Sequence, residues 1–135
     1  MKKSLILFLI VAAVGTAGCK KSKGHDKYTR ECTYNGETVD MAKIKAYQTE
    51  NETWHFLTEA SFSELNVKLH FGDGNDFCQL SDKEGNSLDS EINGTNYQIN
   101  HYYWNDVVSI QFEVTLDNGK KIEGDYFDKY TVVQE

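Results

Sequence analysis

Between Val108 and Leu116 the chain reads Val-Ser-Ile-Gln-Phe-Glu-Val-Thr-Leu, with every even position apolar and every odd one polar. A period of two places alternate side chains on opposite faces of a strand, so this segment buries one face and leaves the other wet. The return segment Lys120 to Tyr126 also carries its apolar residues at even numbers. That shared parity constrains the hairpin between them. A two-residue loop at Asn118-Gly119 would set Val114 against Glu123 and mix the faces. A three-residue loop, Asp117-Asn118-Gly119, sets Val114 against Ile122, Phe112 against Gly124 and Ile110 against Tyr126. The expected turn is therefore type I with Gly119 left-handed in a bulge, and Phe112 covers the gap at Gly124.

The chain has no proline, and its body is rich in the Thr, Tyr, Val, Ile and Phe that suit pleated sheets. Turn signals recur at Asn35-Gly36, Gly72 to Asn75, Glu84 to Asn86 and Asn93-Gly94. Short strands punctuated this way predict an all-β fold, an antiparallel β-sandwich of hairpins. A meander β-barrel of lipocalin-like form is the alternative. Parity favours two-residue turns at Asn35-Gly36, aligning Cys32 with Val39, and at Asn93-Gly94, aligning Leu88 with Ile99. A four-residue loop across Gly72 to Asn75 aligns Leu69 with Cys78 and Val67 with Leu80. Met41 to Gln48 reads as strand, whereas Thr58 to Ser63 shows no clear period and reads as a turn or a single helical coil.

The opening is different. Lys2 and Lys3 precede ten apolar residues, Leu5 to Val14. A membrane-spanning helix needs about 20 such residues. Ten suit the apolar centre of a secretory signal, and Thr16-Ala17-Gly18 supplies the small residues of a cleavage site. The run Thr16-Ala17-Gly18-Cys19 resembles the lipobox of bacterial lipoproteins, with Thr16 standing where an aliphatic residue is usual. The resemblance covers the first 19 residues. It implies removal of residues 1–18 and attachment of diacylglycerol and a further acyl chain such as palmitate to Cys19; ordinary cleavage after Ala17 or Gly18 is the alternative. Two or more acyl chains hold a protein stably at a membrane, where one does not. Residues 19–30 then read as a basic tether and residues 31–135 as a single β domain. In layout the chain looks like the small envelope lipoproteins of Bacteroidota. Surface display in that group goes with an acidic cluster after the cysteine, so the basic tether points to the periplasmic face.

Charge divides along the chain. Cys19 to Cys32 holds five Lys or Arg against two acids, and the stretch from Thr33 onward holds seven Lys against 19 acids. Such an acidic body repels nucleic acid. It suits a soluble monomer, or a face that steers toward a basic protein. With Cys19 acylated, Cys32 and Cys78 remain as an even pair in an oxidising compartment. A bridge between them would stabilise the fold by about 4 kcal/mol; two buried thiols are the other reading.

No constellation for catalysis stands out, and the chain is read as a non-enzyme without cofactor. His55, His70 and His101 fall on separate strands at spacings that do not favour a metal, and His70 should point outward. Asp73 to Asp76 lacks the spacing of a calcium loop. The sequons at Asn51 and Asn93 read as chance matches. The most distinctive stretch is Tyr97 to Asp106, "YQINHYYWND". Tyr97, Ile99, His101 and Tyr103 share one parity and Tyr102 and Trp104 the other. Some of Tyr102, Tyr103 and Trp104 should therefore lie exposed at a sheet rim, where aromatic side chains mark binding surfaces; a cap on one end of the core is the alternative. The expected role is a protein-binding module of the envelope, of the inhibitor or immunity-protein kind. The alternative is a carrier of a small lipid or sugar in a barrel pocket.

Overall fold

The computed structural model describes residues 27–72 and 77–134, together with a separate backbone pairing of Ile6–Leu7 with Leu9–Ile10. The signal segment, Cys19 and the loop 73–76 lie outside the described residues, apart from that pairing. Among the described residues the domain holds ten strands: β1 (Thr29–Tyr34), β2 (Glu37–Asp40), β3 (Lys45–Gln48), β4 (Trp54–Ser61), β5 (Leu65–Phe71), β6 (Cys78–Asp82), β7 (Ile92–Tyr102), β8 (Val107–Leu116), β9 (Lys121–Lys129) and β10 (Thr131–Val132). One sheet runs β7-β8-β9-β1-β2 and the other β10-β3-β4-β5-β6. All pairings within the two sheets are antiparallel except β10 with β3. The fold is an all-β sandwich, and the barrel does not form. Consecutive strands neighbour one another except where the chain passes between sheets, after β2, β6 and β9. The order is that of a meander with open seams.

The hairpins follow parity at three of the four turns. Val114 pairs with Ile122, Phe112 with Gly124 and Ile110 with Tyr126. Gly119 is left-handed at φ 84° and donates its N–H to the Leu116 carbonyl at 2.9 Å, as the bulged three-residue loop requires. Asn35 and Gly36 have φ of 51° and 82°, and Cys32 faces Val39. Leu69 faces Cys78 and Val67 faces Leu80.

Four expectations fail in whole or in part, one being the strand over Met41 to Gln48, which forms only over Lys45–Gln48. Asn93-Gly94 is no turn: it lies inside β7 as a bulge between Ile92 and Gly94. Leu88 is held elsewhere, donating its N–H to the Leu80 carbonyl at 2.8 Å, and Ile99 pairs with Ile110. The segment from Thr58 is strand as far as Ser61, its inward Thr58 and Ala60 being buried. The first strand also begins before residue 31: β1 starts at Thr29, which pairs with Phe127.

The core fills the space between the sheets. Phe71 and Phe77 stack at 5.1 Å between ring centres, and Phe71 meets Phe112 of the opposite sheet at 5.6 Å. Tyr126 is 1% exposed; its hydroxyl accepts from the Ile44 N–H at 2.9 Å and donates to the Lys129 carbonyl at 2.8 Å. That one oxygen ties β9 to the crossing that enters β3. A Cβ on Gly124 would stand 2.0 Å from the Phe112 ring. Gly124→Ala should therefore cost about 1–3 kcal/mol, read as a lower urea midpoint at unchanged slope. Combining it with Phe112→Leu should recover part of that loss.

Candidate functional site: two unlike outer faces

Register places the outward side chains of the first sheet in rows. One row runs Gln98, Gln111, Asp125, Glu31, Asp40, and the next runs Asn96, Glu113, Glu123, Thr33, Thr38. Five carboxylates thus share two adjacent rows, with Asp125 beside Glu31 and Glu113 beside Glu123. Like charges directly opposite one another on a sheet are destabilising. Lys121 offsets part of this, reaching Glu113 at 3.2 Å. Arg30 serves a different acid, Asp128, at 3.5 Å.

Aromatic rings border these carboxylates. Phe127 occupies the neighbouring row, between Ser109 and Thr29. Tyr28 lies 5.6 Å from it, Tyr102 lies 6.5 Å from it, and Trp104 lies 6.3 Å from Tyr102. Trp104 is 79% exposed. It belongs to a 3₁₀ turn, Tyr103–Asn105, ended by Asp106 in the left-handed region at φ 56°. Sequence parity separates Tyr102 and Trp104 from Tyr103, and the structure keeps that division. Tyr103 turns to the end of the sandwich, 3.9 Å from His101 and 6.5 Å from Trp54, while staying 60% exposed. There His101 shares a 2.7 Å hydrogen bond with the Tyr130 hydroxyl, and burial lowers the His101 pKa. The three aromatics therefore serve two surfaces, one a rim and the other a cap on the core.

The outer face of the second sheet carries the opposite character. Lys45, Leu57 and His70 lie in one row, with Glu59, Lys68 and Gln79 in the next. With Lys43 they border a concavity of about 450 Å³. Three of the seven lysines beyond Thr33 line it, against one carboxylate, Glu59. Beside it, His55 Nδ1 and His70 Nε2 stand 2.8 Å apart, and Tyr47 stacks on His55 at 4.8 Å and 7°. Burial, then the neighbouring His55, lowers the His70 pKa. Sequence spacing gave no sign of this histidine pair, because the two residues are 15 apart and meet diagonally across β4 and β5.

Among the described residues no three His, Cys, Asp or Glu side chains gather as a metal cage. Cys32 and Cys78 both point into the core as their parity requires, and the structure holds them as free thiols. Burial pushes each thiol up to about 12. Protein families, curated proteins and solved structures were compared with the chain, and none matches.

The raised thiol values make a testable statement. The thiolate is the reactive form, so both thiols should resist iodoacetamide at pH 8 in the folded protein and label fully once urea unfolds it. The folded state holds these protons to higher pH than the unfolded state, so the thiols' contribution to stability is intact below about pH 9. It falls as pH rises from 9 toward 12, read as a falling urea midpoint.

Proposed function

We propose that this chain is a lipid-anchored protein of the bacterial envelope, on the periplasmic side. Its domain binds a basic protein partner through the outer face of the first sheet, as an inhibitor or immunity protein would, without catalysis. The observation that carries this reading is the adjacency of an outward aromatic strip, with Tyr28 and Trp104 exposed and Phe127 and Tyr102 half-buried, to the carboxylates of Glu31, Asp40, Asp125, Glu113 and Glu123. Interfaces draw affinity from aromatic anchors near their centre and steering from charge around them. A sheet that places like charges side by side on one face gains from a partner that neutralises them.

A carrier of a small ligand is the second reading, favoured by the concavity on the other face. Its three lysines would suit an anionic headgroup. The aromatic filling between the sheets leaves that role to the open concavity rather than to an interior pocket.

Capture from envelope extract separates the two. Wild-type chain should retain a basic protein at low salt and release it as salt rises. Trp104→Ala should weaken capture about tenfold or more, and Glu31→Lys with Asp125→Lys should abolish its salt dependence. Retention unaffected by all three substitutions would end the protein-binding reading. The anchor has its own test: Cys19→Ser should move the protein from the membrane to the soluble fraction.

A further inference from the structure

The histidine pair on the second sheet lies at the edge of that concavity, with His70 on its lining, and neither role makes use of it. Three features of the chain bring the two rings together. Tyr47 lies directly across from His55 and stacks flat on it. On the other side, a Cβ at residue 72 would stand 3.0 Å from His55 Nδ1 and 2.8 Å from the Trp54 carbonyl oxygen, so Gly72 leaves the room in which that nitrogen sits. His70 then reaches back along β5, and its Nε2 meets His55 Nδ1 at 2.8 Å. His70 is exposed and His55 half-buried, so the pair opens to solvent.

That separation is a hydrogen bond's, and it equals a chelate bite once each ring turns to aim its nitrogen at a common point. Metal–imidazole bonds of about 2.0–2.1 Å at a right angle put the two nitrogens about 2.8–3.0 Å apart, whereas a tetrahedral angle puts them about 3.3–3.4 Å apart. Right-angled nitrogen ligands belong to tetragonal copper(II) and nickel(II). We propose that His55 and His70 form a two-imidazole site for a tetragonal divalent transition-metal ion on the outer face of the second sheet. The proton in their hydrogen bond passes through solvent to the other nitrogen of its own ring. Each imidazole then binds as a neutral ligand, with no net loss of charge from the protein. The remaining coordination positions face outward, open to water or to a donor atom of a bound molecule.

The test uses the full chain and nickel(II), which leaves thiols unoxidised. Titration followed by calorimetry and by the imidazole proton resonances should show one ion per chain, broadening His55 and His70 selectively. Loss of outer-shell partners costs 10–100-fold in metal affinity, so His55→Asn and His70→Asn should each cost about tenfold or more. Both positions face outward, and circular dichroism of each variant checks that it folds. His25→Asn, in the tether, and His101→Asn, at the end of the sandwich, should leave the affinity unchanged. Absence of binding, binding unchanged in both His55→Asn and His70→Asn, or binding lost with His25→Asn would overturn the site.

Discussion

The shared core between the sheets is the constraint on which the rest depends. A strand has two faces, and burying one in a common interior leaves the other free of packing demands. Here the interior is closed by large rings from both sides: Phe71 and Phe77 from one sheet, Phe112 and Tyr97 from the other, all within 6.0 Å centre to centre of a ring across the gap. Rings of this size set the layers at sandwich spacing and occupy the space a barrel would have kept for a ligand. The meander order survives in the strand sequence, and the chain leaves the first sheet for the second between β2 and β3, where Met41 and Ile44 are fully buried.

Freedom from packing lets the two outer faces specialise. The first sheet gathers carboxylates and a border of rings, and the second gathers lysines, a concavity and a histidine pair. The acidic balance of the whole chain hides this division, since it averages two surfaces of opposite sense. A folded sheet separates charges that alternate along the sequence, and each face presents its own field to whatever approaches.

Much of this pattern was legible before the structure, and the failures have causes. Parity along β8 and β9 fixes both the register and the bulged turn at Gly119, because one wrong residue would drive Glu123 into the core. At Asn93-Gly94 the same logic fails, since a turn there needs a strand before it, and the residues before it are engaged with β6. Leu80 takes both the Leu88 N–H on its carbonyl and the Asp89 carboxylate on its N–H. The aromatic rim at Tyr102 and Trp104 could be read from parity, yet Phe127 and Tyr28, which complete it, could not. Their neighbourhood follows from β1 pairing with β9, a contact between opposite ends of the domain. The histidine pair was hidden for the related reason that the register of β4 on β5 rests on a segment without a clear period.

The position of the aromatic strip bears on how an anchored form would stand. Tyr28 belongs to that strip, and it lies nine positions after Cys19. Extended chain spans at most about 3.3–3.6 Å per residue, so a lipid on Cys19 would keep Tyr28, the near end of the strip, within about 30 Å of the bilayer surface. Anionic headgroups beside such an anchor would attract the lysines between Cys19 and Tyr28 and repel the carboxylate rows, both over a range of about 8 Å at physiological salt. The two forces act in opposite senses on neighbouring parts of the chain. On such a bilayer that opposition would turn the acidic sheet toward the aqueous side, where a basic partner would meet the carboxylates first.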